Sequence, residues 1–348
     1  MGMVWFLLYR GGMKTFELRG KSLDTLTLVD RAVPRPGPGQ VLVRMRAASL
    51  NYRDLLVATG RYGRGELNYP LVPLSDGAGE VVDVGPGVTR LKAQDRVAGN
   101  FFQLWVDGPF DSKKGASALG GAIDGVLSEY VVLEEAAAVK FPAFLSYEEA
   151  ATLPCAGVTA WVGLREVGTL DASHVVLAMG TGGVSLFALQ LAKAAGATVI
   201  LTSSSDAKLA GGKELGADHV INYRTTRDWA AAARELTHGR GVDNLLEVGG
   251  ADTLPDSLRA VRSGGHLVLV GLLTGKMADR DQARQNDRDV RVDAVYVGSV
   301  RHFENLNRTI DQHQLQPVID RVFPFESAQQ AFRHLESGAH FGKVVIRI

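Results

Sequence analysis

From about residue 13 to 145 the chain sets short apolar runs (41–43, 79–84, 130–132) between turn segments rich in Gly and Pro, such as PRPGPGQ at 34–40 and GPG at 85–87. Runs of that length with that punctuation predict a compact, mostly β domain. Residues 99–125 break the rhythm as a long irregular segment, and long loops inside compact domains are usually functional or mobile. From about 150 the period changes. Strands are expected at 174–179, 198–202, 219–222, 242–247 and 266–270, with helices at 184–195, 206–215, 226–236 and 253–261. Strands alternating with helices of about ten residues imply an α/β fold with a doubly wound parallel sheet, covered on both faces. A helix near 327–335 and a final strand at 343–348 return to the first domain.

These patterns divide the chain into a β domain at 13–150, an α/β domain at 151–300 and a return segment at 301–348. Residues 1–12 stand before the first strand-like segment and read as an extension outside the fold. Their apolar run at 4–8 lacks a basic stretch before it and is too short to span a bilayer, so no signal peptide is expected. No run of about 18 apolar residues occurs anywhere.

Composition narrows the partners. The chain has 348 residues, 46% hydrophobic, enough for two buried cores. Its 38 Lys and Arg cancel its 38 Asp and Glu, which removes the electrostatic case for nucleic acid or a membrane surface. A small-molecule ligand is expected instead. The single cysteine, Cys155, excludes an internal disulfide and a multi-cysteine zinc cluster and fits a reducing cytoplasm.

The clearest chemistry lies after the predicted strand 174–179. There Gly180-Thr181-Gly182-Gly183-Val184-Ser185 leads into an amphipathic helix. Glycine serves where a strand turns sharply into a helix and where backbone lies against a pyrophosphate, whose charge then sits at the helix N-terminus. Ser185 replaces the third glycine of the usual pattern, and a merely structural Gly-rich connection would read the same, but strand, loop, helix and next strand stand in the required order. An Asp or Glu about 20 residues on would bind the ribose of NAD. Here the next strand ends in Thr202, Ser203, Ser204 and Ser205, with Lys208 following at a reach suited to a 2′-phosphate. Asp206 either serves the ribose of NAD or stands as the N-cap of the following helix, and the second is the reading taken. The expected cofactor is therefore NADP(H).

Several segments together, LNYRDLLVATGRY (50–62), PLSDGAGEVVDVG (73–85), LPCAGVTAW (153–161), GTGGVSLFALQLAKAAGA (180–197), LGADHVINY (215–223) and FGKVVI (341–346), resemble the medium-chain dehydrogenase/reductase superfamily. The likeness is to its zinc-free branch of quinone oxidoreductases and enoyl reductases. The resemblance implies a GroES-like β domain built from both chain ends, a Rossmann domain between, and a cofactor in the cleft. By the same resemblance the loop Gly180 to Val184 holds the pyrophosphate, and Lys208 and Tyr223 meet the 2′-phosphate. Val270-Gly271 and Val297-Gly298 position the nicotinamide, and Lys343 lies by the cofactor. A homodimer is also implied, through an edge strand expected within 290–300.

Zinc-dependent relatives carry catalytic ligands where this chain has Asn51, Ser75-Asp76 and Cys155. One thiol cannot hold a catalytic zinc, which needs about three protein ligands. None of the eight histidines precedes His174. Cys155 is read as a small buried hydrophobe. Without a metal, loss of an alcohol proton is hard, whereas a quinone or α,β-unsaturated carbonyl needs only a hydride and a hydrogen bond to the developing oxyanion. Asn51 and Tyr62 are the candidate donors, although Asn51 alternatively bonds local backbone and Tyr62 alternatively stands as a lid aromatic. Asp76 either orients Asn51 or Arg53 or caps a turn. The aromatics Phe101, Phe102 and Trp105 either wall the substrate or form core beneath their loop. The expected activity is NADPH-dependent reduction of a quinone or activated alkene. A dinucleotide-binding structural or regulatory protein of the same fold, or an alcohol/aldehyde oxidoreductase, is the alternative.

Overall fold

The computed structural model describes residues 12–62, 67–271, 273, 278–284 and 288–348. Apart from Gly12, the expected extension at 1–12 lies outside them. The chain forms two compact units, Met1–Cys155 with Gly298–Ile348, and Ala156–Val297.

The first unit runs through β1 (Met13–Leu18), β2 (Leu26–Arg31), β3 (Gln40–Ser49), helix α1 (Tyr52–Ala58), β4 (Asp76–Val84), β5 (Arg96–Gly99), β6 (Tyr130–Glu134) and β7 (Ala138–Lys140). The second unit then alternates β8 (Val175–Met179), α2 (Gly183–Ala194), β9 (Thr198–Ser203), α3 (Asp206–Glu214), β10 (His219–Asn222), α4 (Trp229–Glu235), β11 (Val242–Glu247), α5 (Leu254–Ala260), β12 (Val261–Leu269) and β13 (Arg291–Ala294). The chain returns to the first unit with α6 (Val300–His313), β14 (Ile319–Pro324), α7 (Ala328–Glu336) and β15 (Lys343–Arg347).

In the first unit β1 and β2 pair antiparallel, and a seven-stranded sheet runs β14-β15-β3-β4-β5-β7 with β6 on β3. β3 explains why its apolar residues are consecutive. Val41 and Val43 face the large core, while Leu42 packs on the other face with Met13 and Val33. The C-terminal strand β15 pairs antiparallel with β3, Val345 opposite Ser49 and Ile346 opposite Ala48. That pairing sets Lys343, at the head of β15, next to the segment that follows β3. Helix α6 was not expected from the sequence. It is capped by Ser299 Oγ, which accepts from His302 N at 3.3 Å, and it buries Phe303, Leu306 and Ile310 along one face.

The second unit has the strand order β10-β9-β8-β11-β12-β13, all neighbours parallel. Counted from β8 this is the order 3-2-1-4-5-6 of a doubly wound dinucleotide-binding sheet, with the reversal between β8 and β11. β11 is buried at all six positions, as a central parallel strand covered on both faces must be. The apolar alternation at 290–300 resolves differently from expectation. Only Arg291–Ala294 is strand, Tyr296 is exposed, and Val300 already begins α6. Among the described residues no helix is long and apolar enough to cross a membrane.

Candidate active site

The phosphate loop lies where β8 meets α2. Gly180 has φ +75°, a conformation open to glycine and costly for other residues. A Cβ added at Gly180 or Gly182 would meet nothing within 4 Å, so space stands open beside this backbone. Gly182 caps α2 without any side-chain hydrogen bond, which leaves the first N–H groups of a twelve-residue helix for an incoming anion. Ser185 has a structural reason to replace the third glycine. Its buried hydroxyl donates to Met179 O at 2.5 Å and ties the helix to the strand end. Thr202 Oγ1 accepts from Gly180 N at 3.2 Å, so the end of β9 buttresses the loop. Thr181 is buried, and Gly183 and Val184 are half-buried. These residues fit a dinucleotide pyrophosphate.

At the end of β9, Ser203 is buried and Ser204 half-buried. The N-cap of α3 is Ser205, not Asp206 as expected. Ser205 Oγ accepts from Lys208 N at 3.4 Å, and Asp206 is the first helical residue, accepting from Asn222 Nδ2 at 2.6 Å. A carboxylate held by Asn222 is turned to local structure. Lys208 is half-buried on α3, and Tyr223, just past β10, is 44% exposed with its amide bonded to Ser203 O at 3.1 Å. On the other half of the sheet, Val270 N and Gly271 N both donate to Glu247 O, at 2.9 and 3.1 Å. A Cβ on Gly271 would lie 2.1 Å from Val248 O, which explains the glycine. Val297 adopts φ +56° immediately before buried Gly298.

The other candidate residues converge in the first unit on a buried group of charges. Asn51 precedes α1, and its backbone N–H donates to Asp54 Oδ2 at 2.7 Å. Asn51 and Asp54 form the capping box of α1. Lys343 Nζ donates to Asn51 Oδ1 at 2.5 Å and to Leu50 O at 2.6 Å. Asp76, fully buried at the head of β4, accepts from Ser75 Oγ at 2.7 Å and from Cys155 N at 3.0 Å, with Lys343 Nζ at 4.0 Å. Asp76 therefore sits beside Lys343, while Arg53 belongs to a different carboxylate, donating to Asp54 Oδ1 at 3.1 Å and to the carbonyls of Leu119 and Gly120. Burial raises the Asp76 carboxyl against the pull of Lys343, and it raises Asp54 to about 6 against Arg53 and the Asn51 N–H. Burial likewise lowers the Lys343 ammonium below the usual lysine range.

Tyr62 is half-buried against the core, with the Arg53 guanidinium 4.5 Å from its ring centroid and 4.9 Å from that of Phe101. Phe101, Phe102 and Trp105 are buried beneath their loop and pack in sequence, edge-to-face and tilted, at 4.6 and 5.7 Å between centroids. The long segment is thus held by its own aromatic core. Gly120 lets it approach, since a Cβ there would lie 2.5 Å from the Leu74 carbonyl carbon, and Gly120 O and Leu119 O receive Arg53. Cys155 is half-buried rather than fully buried, and burial with the nearby Asp76 charge pushes its thiol far up, against a thiolate role. The buried Arg53–Asp54 pair was missed in the sequence. The spacing Asn51-x-x-Asp54, an N-cap with an acid at the third helical position, is the signal that marks it.

A zinc centre does not suit these side chains. At the positions of interest stand an amide, a hydroxyl, one carboxylate and one protonated thiol, with a lysine ammonium among them. Among the described residues no group of three or more His, Cys, Asp or Glu is placed to hold a metal ion.

Two family models match the chain, an alcohol dehydrogenase GroES-like domain over residues 37–143 and a zinc-binding dehydrogenase over 183–312. A zinc-type alcohol dehydrogenase-like protein of Schizosaccharomyces pombe is 42% identical over 332 residues, 93% of this chain and 96% of its own. A 2-methylene-furan-3-one reductase of Solanum lycopersicum is 32% identical over 329 residues, 93% of this chain and 76% of its own. The crystal structure of an NAD-dependent alcohol dehydrogenase superposes with a TM-score of 0.86 at 33% identity, covering 97% of this chain and all of that one.

Proposed function

The chain belongs to the medium-chain dehydrogenase/reductase family of oxidoreductases, and from that premise we propose that it reduces quinones or α,β-unsaturated carbonyls with NADPH and without a metal. The observation that carries this reading is the Lys343 ammonium beside Asn51 and Asp76, in place of a zinc donor set. When bound, NADPH supplies the hydride. An α,β-unsaturated carbonyl would take that hydride at its β-carbon, and the negative charge would gather on its carbonyl oxygen, where the chain's own donors act. A proton from water completes the reduction. An acceptor of this kind needs no proton removed beforehand, so the work left to the protein is to stabilise the oxyanion. Asn51 Nδ2 and the Tyr62 hydroxyl are assigned to donate to that oxygen, and Asp76 to hold the surrounding charges. The tomato relative supports the substrate class, because a 2-methylene ketone is itself an activated alkene.

In the second unit, Gly180, Thr181, Gly182, Gly183 and Val184 are assigned to the pyrophosphate. Ser203, Ser204, Lys208 and Tyr223 are assigned to the adenosine ribose and its 2′-phosphate. Val270, Gly271, Val297 and Gly298 are assigned to the nicotinamide, with Lys343 beside the cofactor. The engagement of Asp206 with Asn222 supports NADP over NAD. The domains are drawn at 13–150, 151–300 and 301–348. A homodimer through the β13 edge is part of the proposal, and a monomer mass in light scattering at micromolar concentration removes it.

The test is a panel of quinones, enones and aldehydes monitored by NADPH absorbance. Turnover of quinones or enones is expected. Asn51→Ala with Tyr62→Phe should slow hydride transfer by about 10²-fold or more while NADPH affinity stays within about twofold. Tight NADPH binding without turnover across the panel leaves a regulatory dinucleotide-binding protein. Stoichiometric zinc by elemental analysis, with chelator-sensitive alcohol oxidation, replaces the proposal by a metal-dependent dehydrogenase.

A further inference from the structure

The two ends of the Asn51 side chain stand in different surroundings. Its Oδ1 accepts from Lys343 Nζ at 2.5 Å, while its Nδ2, on the Asp76 side, is buried without a hydrogen bond of acceptable geometry. An ammonium has three donors and no acceptor, so the chemistry of Lys343 dictates which end of the amide faces it. The oxygen points to Lys343 and the NH2 points away. Asp76, which already takes Ser75 Oγ on Oδ1 and Cys155 N on Oδ2, faces that NH2 and favours its N–H bonds over an oxygen there, and an amide nitrogen with two N–H groups still leaves one without an acceptor. A buried donor left unpaired costs about 1–3 kcal/mol, and the fold retains one here.

Lys343 is in turn fixed from two sides. Leu50 O takes a second of its protons, and β15 is anchored on β3 by the Val345–Ser49 and Ile346–Ala48 pairs. The ammonium is a rigid post set by the sheet. With any neutral acceptor in that place the amide would be free to rotate and offer its oxygen outward, where a carbonyl substrate would be repelled.

We propose that Lys343 is a positioning residue for the electrophilic site, locking the Asn51 amide so that Nδ2 is the atom presented to the substrate oxygen. This rests on the reading above that Asn51 donates to that oxygen. It gives Lys343 a task within the first unit in addition to its place beside the dinucleotide.

Two measurements test it. The Asn51 side-chain NH2 signals, assigned in 15N spectra by their loss in Asn51→Asp, should move in Lys343→Met and stay near their wild-type positions in Lys343→Arg. Unchanged signals in Lys343→Met overturn the proposal whether or not any acceptor is turned over. Single-turnover reduction of 2-cyclohexen-1-one or 1,4-benzoquinone supplies the second. Lys343→Met is expected to slow hydride transfer by about tenfold to 10²-fold, a larger factor than any loss of NADPH affinity, with partial recovery in Lys343→Arg. The double variant Lys343→Met with Asn51→Ala should be no slower than Asn51→Ala alone, within about twofold. Additive losses overturn the proposal, as does a loss of NADPH affinity equal to the loss of rate. If Lys343→Met does not fold, the charge-neutral Lys343→Met with Asp76→Asn takes its place with the same expectations. Failure of the underlying reading looks different. Asn51→Ala would then transfer hydride at the wild-type rate, while the NH2 signals would still report whether Lys343 orients the amide.

Discussion

Two buried carboxylates, one in each unit, show how differently the same fold treats charge. Asp243 in β11 accepts from Arg240 through both oxygens at 2.7 and 2.8 Å, from Arg262 Nε at 2.7 Å and from Val175 N at 2.7 Å. Burial works against its charge, yet these four bonds win and hold it at about 2. Its guanidinium partners reach solvent, 46% and 32% exposed, so the network is a tie at the base of the sheet. Asp54 in α1 is also buried, but burial prevails over Arg53 and the Asn51 N–H, and the carboxyl rises to about 6. Its partner is 9% exposed. The difference teaches that a buried carboxylate is structural where several donors converge on it from the surface. Where cation and anion are both sunk in the interior and share their donors, the charges are held at a cost, which is the condition met at functional sites.

The strongest way to break this comparison is to remove the inner cation. Arg53→Ala leaves Asp54 buried without its partner and should cost about 3–5 kcal/mol in urea unfolding. A loss under about 1 kcal/mol would show that water already reaches the pair. The next effect is a pH slope of opposite sign in the two units. Asp54 has a folded value of about 6 against an ordinary 3.8, so the folded state carries the extra proton between them. Stability should fall by about 2–3 kcal/mol as pH rises from 4 to 6 and then level off, since one pKa unit is about 1.4 kcal/mol. Asp54→Asn should remove that fall, and persistence of the slope assigns it to another group. Asp243 acts the other way. Its contribution is complete above about 4 and is lost as pH falls toward 2, a loss discounted to about 1 kcal/mol because its partners are exposed.

A third measurement separates binding from charge storage. Lys208→Ala should weaken NADPH by roughly tenfold and leave NADH nearly unchanged, because only the 2′-phosphate gains a charge-assisted contact. Equal weakening of both cofactors would remove the assignment. The smallest effect expected is Arg240→Ala, about 1 kcal/mol or less in unfolding, since Asp243 keeps Arg262 and the Val175 N–H. A cost matching that of Arg53→Ala would erase the distinction between the two carboxylates.

The alternation of strands and helices after residue 150 was legible because each element carries its own period. The expected strand at 174–179 and helix at 184–195 stand within a residue of β8 and α2. Helix α6 was passed over although its signal is present, since Phe303, Leu306 and Ile310 recur at i, i+3 and i+7 on one face with polar residues between them. Around the candidate site, Asn51, Tyr62 and Asp76 were picked out by residue type and by resemblance. Asp54 was passed over, and Lys343 was attached to the cofactor alone.

Local sequence determined what depends on neighbours along the chain: the glycine turn at Gly180, the uncapped start of α2 and the alternation of strands and helices after residue 150. Tertiary structure decided which charges meet. Lys343 reaches Asn51 across 292 positions of sequence only because β15 pairs with β3. Cys155 N reaches Asp76 across 79. No periodicity encodes those meetings, since a side chain's partner is set by strand register between distant segments, and its protonation by how much water the finished core excludes.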